Sequence, residues 1–166
     1  MRMFGCLCIV LSILVCLIPS RSHDPVLASR AYIERQVRVP LPETAVVAAG
    51  DLVRCPNGDG VYAAHVTLPA EEIAGFAESL EMCEAWSTGV LPDFVANTIY
   101  GGAFDGGYRS GVAETYGIPE HENGYWLFID RHREQDKPFS ERHSYNYTFG
   151  LFDEENGVLH VYKYDT

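Results

Sequence analysis

The chain has 166 residues, 47% of them apolar and 21% charged, with a formal charge of −11 at neutral pH. That composition argues against a disordered chain. The acidic balance argues against a protein that grips nucleic-acid phosphates or docks electrostatically on anionic lipid, and the length predicts one domain, or one domain plus a tail.

Residues 1–22 differ from the rest. Arg2 is the sole charge before Arg21, and between them run Phe4, Leu7, Ile9, Val10, Leu11, Ile13, Leu14, Val15, Leu17 and Ile18. A basic start, an apolar run and small residues at a cleavage point are the pattern of a secretory signal peptide, with Pro19, Ser20 and Ser22 placing cleavage after residue 22. The uncharged stretch from Met3 to Ser20 is also just long enough for an uncleaved membrane anchor. A lipid on Cys16 is a third option, although Ile13-Leu14-Val15 lacks the small residue expected beside a lipidated cysteine. Each option puts the folded part outside the cytoplasm. Cleavage removes two arginines and no acid, taking the charge from −11 to −13. It leaves Cys55 and Cys83, an even pair that in an oxidising compartment reads as one candidate disulfide. Two buried thiols are the alternative.

Residues 23–40 read as a tether, with a short helix from Ala28 to Val37 ended by Pro40 and Pro42. A single domain is expected over 41–166. Its first strand is Thr44–Ala49 and its second Gly60–Leu68, whose Tyr62, Val66 and Leu68 alternate onto a core face. Pro69 opens the best helix. Glu71 and Glu72 suit its first turn, and Ile73, Phe76, Ala77, Leu80 and Cys83 form an apolar stripe that runs to about Trp86. Residues 89–123 hold seven glycines and two prolines. There, 94–100 reads as a strand and 101–108 as a flexible loop. The last third reads as three strands, at 125–130, 144–152 and 158–164. A two-residue Asn156-Gly157 turn would pair Leu151 with Tyr162 and Phe149 with Tyr164. These elements predict an α+β domain: an antiparallel sheet of about five strands with one main helix across one face.

Several segments look familiar together: Asp59-Gly60, Asn123–His132, Arg142–Thr148 and the ending Val158–Thr166. They resemble a group of small uncharacterised secreted or lipid-anchored proteins of gut-dwelling bacteria, over roughly residues 40–166. The resemblance implies an extracytoplasmic location and brings no activity with it.

The most distinctive polar cluster is Asp130-Arg131-His132-Arg133 with Arg142-His143. It brackets the connection between two strands and, with Lys137, forms a basic island on an acidic chain. Arginine offers bidentate contacts to carboxylate, phosphate or sulfate. Glu134, Asp136 and Glu141 lie among the basic residues, so a solvated loop is the plainer reading. His132 and His143 would alternatively serve as an acid–base pair, with Asp130 orienting one of them. No nucleophile turn or metal-ligand spacing accompanies them, and no cofactor is expected. Tyr125, Tyr145, Tyr147, Tyr162 and Tyr164 lie on strands. They suit sugar or protein recognition where exposed, or else form the core face under the 69–86 helix. Asp59 and Asp105 lack the acid spacing of a calcium loop, and the Asn146-Tyr147-Thr148 sequon falls in a strand. The leading expectation is a non-enzymatic extracytoplasmic binding module. It would use Arg131, His132, Arg133, Arg142 and His143, with an extracellular protein or glycan as partner and no nucleic acid. The membrane would be reached only through the N-terminal segment. A small secreted hydrolase and a structural envelope protein are the alternatives.

Overall fold

A computed structural model of the chain describes residues 30–54, 59–104, 107–120, 124–133 and 136–166. The expected signal segment, the candidate cleavage point, Cys55 and Asp105 lie outside the described residues. The elements are α1 (Arg30–Val37), β1 (Val46–Arg54), β2 (Gly60–Thr67), α2 (Ala70–Glu81), β3 (Trp86–Gly89), α3 (Asp93–Tyr100), β4 (Gly101–Phe104), β5 (Gly107–Ser110), α4 (Ala113–Tyr116), β6 (Gly124–Asp130), β7 (Asn146–Asp153) and β8 (Val158–Asp165), with a 3-10 turn at Phe139–Glu141. Six strands form one antiparallel sheet in the order β1-β2-β8-β7-β6-β3, and β4 and β5 form a separate hairpin. The α+β class is as expected, with one more strand in the main sheet.

Both faces of the sheet are covered. On one face Tyr62, Ala64 and Val66 of β2, Phe152 of β7 and Leu159 and Val161 of β8 pack with Phe76, Ala77 and Leu80 of α2. The Phe76 and Phe152 rings meet edge-on at 5.0 Å. Fully burying a side chain such as Phe76 or Leu80 contributes about 1.5–3 kcal/mol. The segment expected to be a tether joins this core, because Ile33 and Val37 of α1 are fully buried in it. Trp86 Nε1 donates to the Val37 carbonyl at 2.8 Å. The Arg30 guanidinium donates to the carbonyls of Leu41, Glu43 and Ala45 at 2.9–3.0 Å and also to that of Pro42. Four carbonyls of an irregular turn are thereby satisfied by a single side chain.

On the opposite face Ala63, Tyr147, Phe149, Leu151 and Tyr162 meet Val95 and Ile99 of α3 and Ala113 of α4. The strand tyrosines therefore divide, with Tyr147 and Tyr162 forming core beneath α3 and α4 rather than beneath α2. Because β7 lies between two hydrophobic layers, Tyr147 to Asp153 are all buried. Strands buried on both faces read as continuous apolar runs.

Four expectations are corrected. Residues 94–100 are helical: Pro92 and Asp93 supply a helix start, and Val95, Thr98 and Ile99 are the buried stripe. Aromatic and β-branched content suggested a strand, but the i, i+3, i+4 spacing prevailed. The expected loop 101–108 is a hairpin that pairs Gly101 with Ser110 and Phe104 with Gly107. The second helix ends at Glu81, and Trp86 opens the edge strand β3. Finally, the β7–β8 register pairs Leu151 with His160 and Phe149 with Tyr162. The turn holds four residues rather than two, because the Asp153 carboxylate accepts from the Asn156 backbone N–H at 3.1 Å and from Asn156 Nδ2 at 2.8 Å. A two-residue shift preserves every side chain's face, so the expected faces stand although the partners move.

Gly150 is a tight point of the first core. A Cβ there would lie 2.9 Å from Trp86 Cη2 and 3.3 Å from Leu127 Cβ. Gly150→Ala is expected to destabilise the fold by about 1–3 kcal/mol through overpacking, measured by urea unfolding followed by tryptophan fluorescence.

Candidate functional site

The basic island sits where β6 leaves the sheet and β7 enters it. Beyond Asp130 the strand backbone continues as one further bond, from the Arg131 N–H to the Asn146 carbonyl at 2.6 Å. The Arg131 side chain then turns across the ends of β7 and β8. Its guanidinium donates to Asp165 Oδ1 at 2.6 Å, to the Tyr147 carbonyl at 2.9 Å and to the Tyr164 carbonyl at 3.3 Å, and its Nε donates to Thr148 Oγ1 at 3.2 Å. Arg131 is thus a clasp that joins three strands. Asp165 also pairs with Lys163.

Arg142 is committed as well. Its side chain is only 5% exposed and donates to Asp130 Oδ2 at 2.5 Å and, through Nε, to the Lys137 carbonyl at 3.0 Å. The guanidinium lies over the Phe139 ring at 5.5 Å. Asp130 Oδ1 accepts from the backbone N–H of His132 at 2.9 Å. The carboxylate expected to orient an imidazole holds the His132 backbone and the Arg142 guanidinium.

His132 is positioned by the end of the chain. The Thr166 N–H donates to Asn146 Oδ1 at 3.2 Å, which sets the direction of the Asn146 amide. The Asn146 Nδ2 group then faces His132 Nδ1 at 3.4 Å. An NH2 group can only donate, so Nδ1 is the acceptor and the ring proton sits on Nε2, an assignment made from the bond network. His132 therefore offers an N–H donor on its far side.

Arg131, His132, Arg133, Lys137, His143, Ser144 and Asn146 line one cleft of about 600 Å³. The sequence-predicted set is brought together except for Arg142, which is buried and does not line the cleft. Lys137, Ser144 and Asn146 are lining residues that the candidate set omitted. Arg133 and His143 are exposed at the rim. Asp136 and Glu141 are exposed too but do not line the cleft, and Glu134 lies outside the described residues. Every lining side chain is able to donate a hydrogen bond and most are cationic or imidazole, so the cleft matches an acceptor-rich anion.

The tyrosines add little open surface. Tyr125 OH donates to Glu81 Oε1 at 2.8 Å, and that bond pushes its pKa up to about 12. Burial, with Tyr147 beside it, drives the Tyr162 hydroxyl well above the ordinary phenol range. Among the described residues no group of three His, Cys, Asp or Glu side chains is placed to hold a metal ion. No helix among them is long and apolar enough to cross a membrane. Cys83 Sγ lies 3.7 Å from the Arg38 carbonyl oxygen. Its candidate partner is outside the described residues, so the pairing is not seen.

The candidate set also missed a second pair of histidines, His65 and His160, whose Nδ1 atoms are 2.9 Å apart on the α4 side of the sheet. Alternation in β2 places His65 on the face opposite Tyr62, Val66 and Leu68, and nothing local points from it to His160.

The chain matches no protein-family model, no curated protein and no solved structure.

Arg142→Ala is expected to cost about 2–3 kcal/mol. This is less than the cost of breaking a fully buried ion pair, because Asp130 remains a quarter exposed. Equilibrium denaturation at pH 7 measures it.

Proposed function

We propose that this chain is a non-enzymatic, extracytoplasmic binding module whose cleft at the β6–β7 connection takes an anionic group. The observation that carries this reading is the convergence of Arg133, Lys137, His143 and the Nε2–H of His132 on one cleft of a chain with charge −11. Opposite charges meet Arg131 and Arg142 at Asp165 and Asp130, so these two arginines hold the walls while the rim supplies the attraction. A donor-lined cleft in an otherwise acidic molecule favours an acidic group on a glycan or protein over a free polyanion such as nucleic acid, which the surrounding charge repels. The extracytoplasmic setting is supported by the apolar N-terminal segment after Arg2 and by the resemblance over residues 40–166. Tyr145 and Tyr164, half-buried beside the same strand ends, supply the amphipathic rings that sugar and protein surfaces use.

Thermal unfolding of the full chain at fixed ionic strength, with inorganic phosphate, sulfate or acetate, tests the reading. A saturable rise in Tm is expected, worth about 2.7 kcal/mol at a hundredfold excess over Kd. The rise should be lost in Arg133→Ala/His143→Ala while the unliganded Tm stays within about 2 °C of the parent, as for surface substitutions of this kind. The absence of a saturable shift with all three anions would overturn the anion reading.

A further inference from the structure

His65 and His160 stand directly opposite each other in the β2–β8 register. Their rings meet edge-on, with centroids 4.8 Å apart and planes at 89°, and their Nδ1 atoms are 2.9 Å apart. Two imidazole nitrogens at that distance need one N–H and one bare lone pair. The pair therefore holds a single proton between the two Nδ1 atoms, and a second proton there would set two N–H groups and two positive charges against each other.

The surroundings make this contact consequential. His160 is 7% exposed, while His65 is half-buried. Burial first, and the neighbouring His65 second, lower the His160 pKa to about 4 against an upward pull from Asp153. The titratable groups on the pair's face of the neighbouring strands are Tyr147 and Asp153 of β7 and Tyr162 and Tyr164 of β8, with Glu114 and Tyr116 on α4. The Asp153 carboxylate is held by Asn156. Tyr116 packs on Tyr162 at 5.0 Å, and Glu114 points to solvent. On β1 the neighbour in register is Ala48, which carries no charge. Above His65 lies the end of α4, where Gly117 is left-handed at φ +62 and a Cβ would lie 3.7 Å from His65 Cε1. The turn is fastened by the Ile118 N–H donating to the Ala113 carbonyl at 3.0 Å.

We propose that His65 and His160 form a proton-operated latch: sharing one proton, the pair holds the α4–Gly117 turn against the sheet, and a second proton releases it. The sign follows from linkage. The native pair resists its second proton until about pH 4, whereas an opened or unfolded histidine accepts it near 6.5. The open form thus binds more protons between those values, and the latch weakens as pH falls from about 6.5 to 4. Acidic surroundings would loosen this layer while α2 and the opposite core stay packed.

Amide hydrogen exchange of the full chain, expressed as protection factors from pH 7.5 to 4, reads the latch at Ile118 and Tyr116. Protection there is expected to fall reversibly between pH 6.5 and 4, while Phe76 and Leu80 in α2 keep theirs. In His160→Gln the amide side chain can still donate to His65 but takes no proton, and the fall should vanish. If that variant does not fold, imidazole 15N spectra of the parent chain decide the matter alone. One Nδ1–H and one bare Nδ1 at pH 7, with His160 titrating well below 6.5, support the latch. Protection that is flat with pH, or both histidines titrating near 6.5, would overturn it. So would equimolar Zn2+ displacing the shared proton and protecting the turn, which would make the pair a metal site.

Discussion

The burial of β7 and β8 on both faces governs the rest of this molecule. Phe152, Leu159 and Val161 belong to the core beneath α2, while Phe149, Leu151 and Tyr162 belong to the core beneath α3 and α4. Two such layers leave the middle of the sheet no room for hydrated charge, so polar chemistry gathers at the strand ends or must be paired inside. The Arg131 clasp is the first outcome. Five bonds from one residue tie β6, β7 and β8 together just where their side chains stop being covered. The cleft lined by His132, Arg133 and His143 opens in the β6–β7 connection that leaves this fastened end.

The second outcome is the His65–His160 contact, a polar pair admitted into the α4-side layer because each ring satisfies the other. A lone buried imidazole would lack a partner, and an unpaired polar group in a core is costly. The two sites differ in kind. At the strand end, Arg131 and Arg142 are paired with carboxylates, while Arg133, Lys137 and His143 are exposed. Beneath α4, two rings share a proton, and burial makes charging His160 expensive.

Much of this was legible in the sequence, and the rest was hidden for physical reasons. Period-two alternation gave the faces of Phe149, Leu151 and Tyr162 correctly. It left their partners two residues off, because only the Asp153–Asn156 bonds show that the turn holds four residues. The stripe of Phe76, Ala77 and Leu80 was readable as a helix because it repeats on one face. The segment 93–100 was not, since its aromatic and β-branched residues suit a strand and its short buried stripe is easily missed. Arg131, His132, Arg133 and His143 do converge, as their placement around one inter-strand connection suggested. That Arg142 is walled in by Asp130 and Phe139, and that His65 meets His160 across a span of 95 residues, are tertiary facts with no local signature.

The most direct test of the account is where an anion touches the protein. Inorganic phosphate titrated into 15N-labelled full chain, followed by amide and side-chain 1H–15N NMR, resolves the two polar places. Saturable shifts at His132, Arg133, His143 and Asn146, with His65 and His160 unmoved, are the expected result. Shifts absent from the β6–β7 cleft, or confined to the His65–His160 layer, would contradict it.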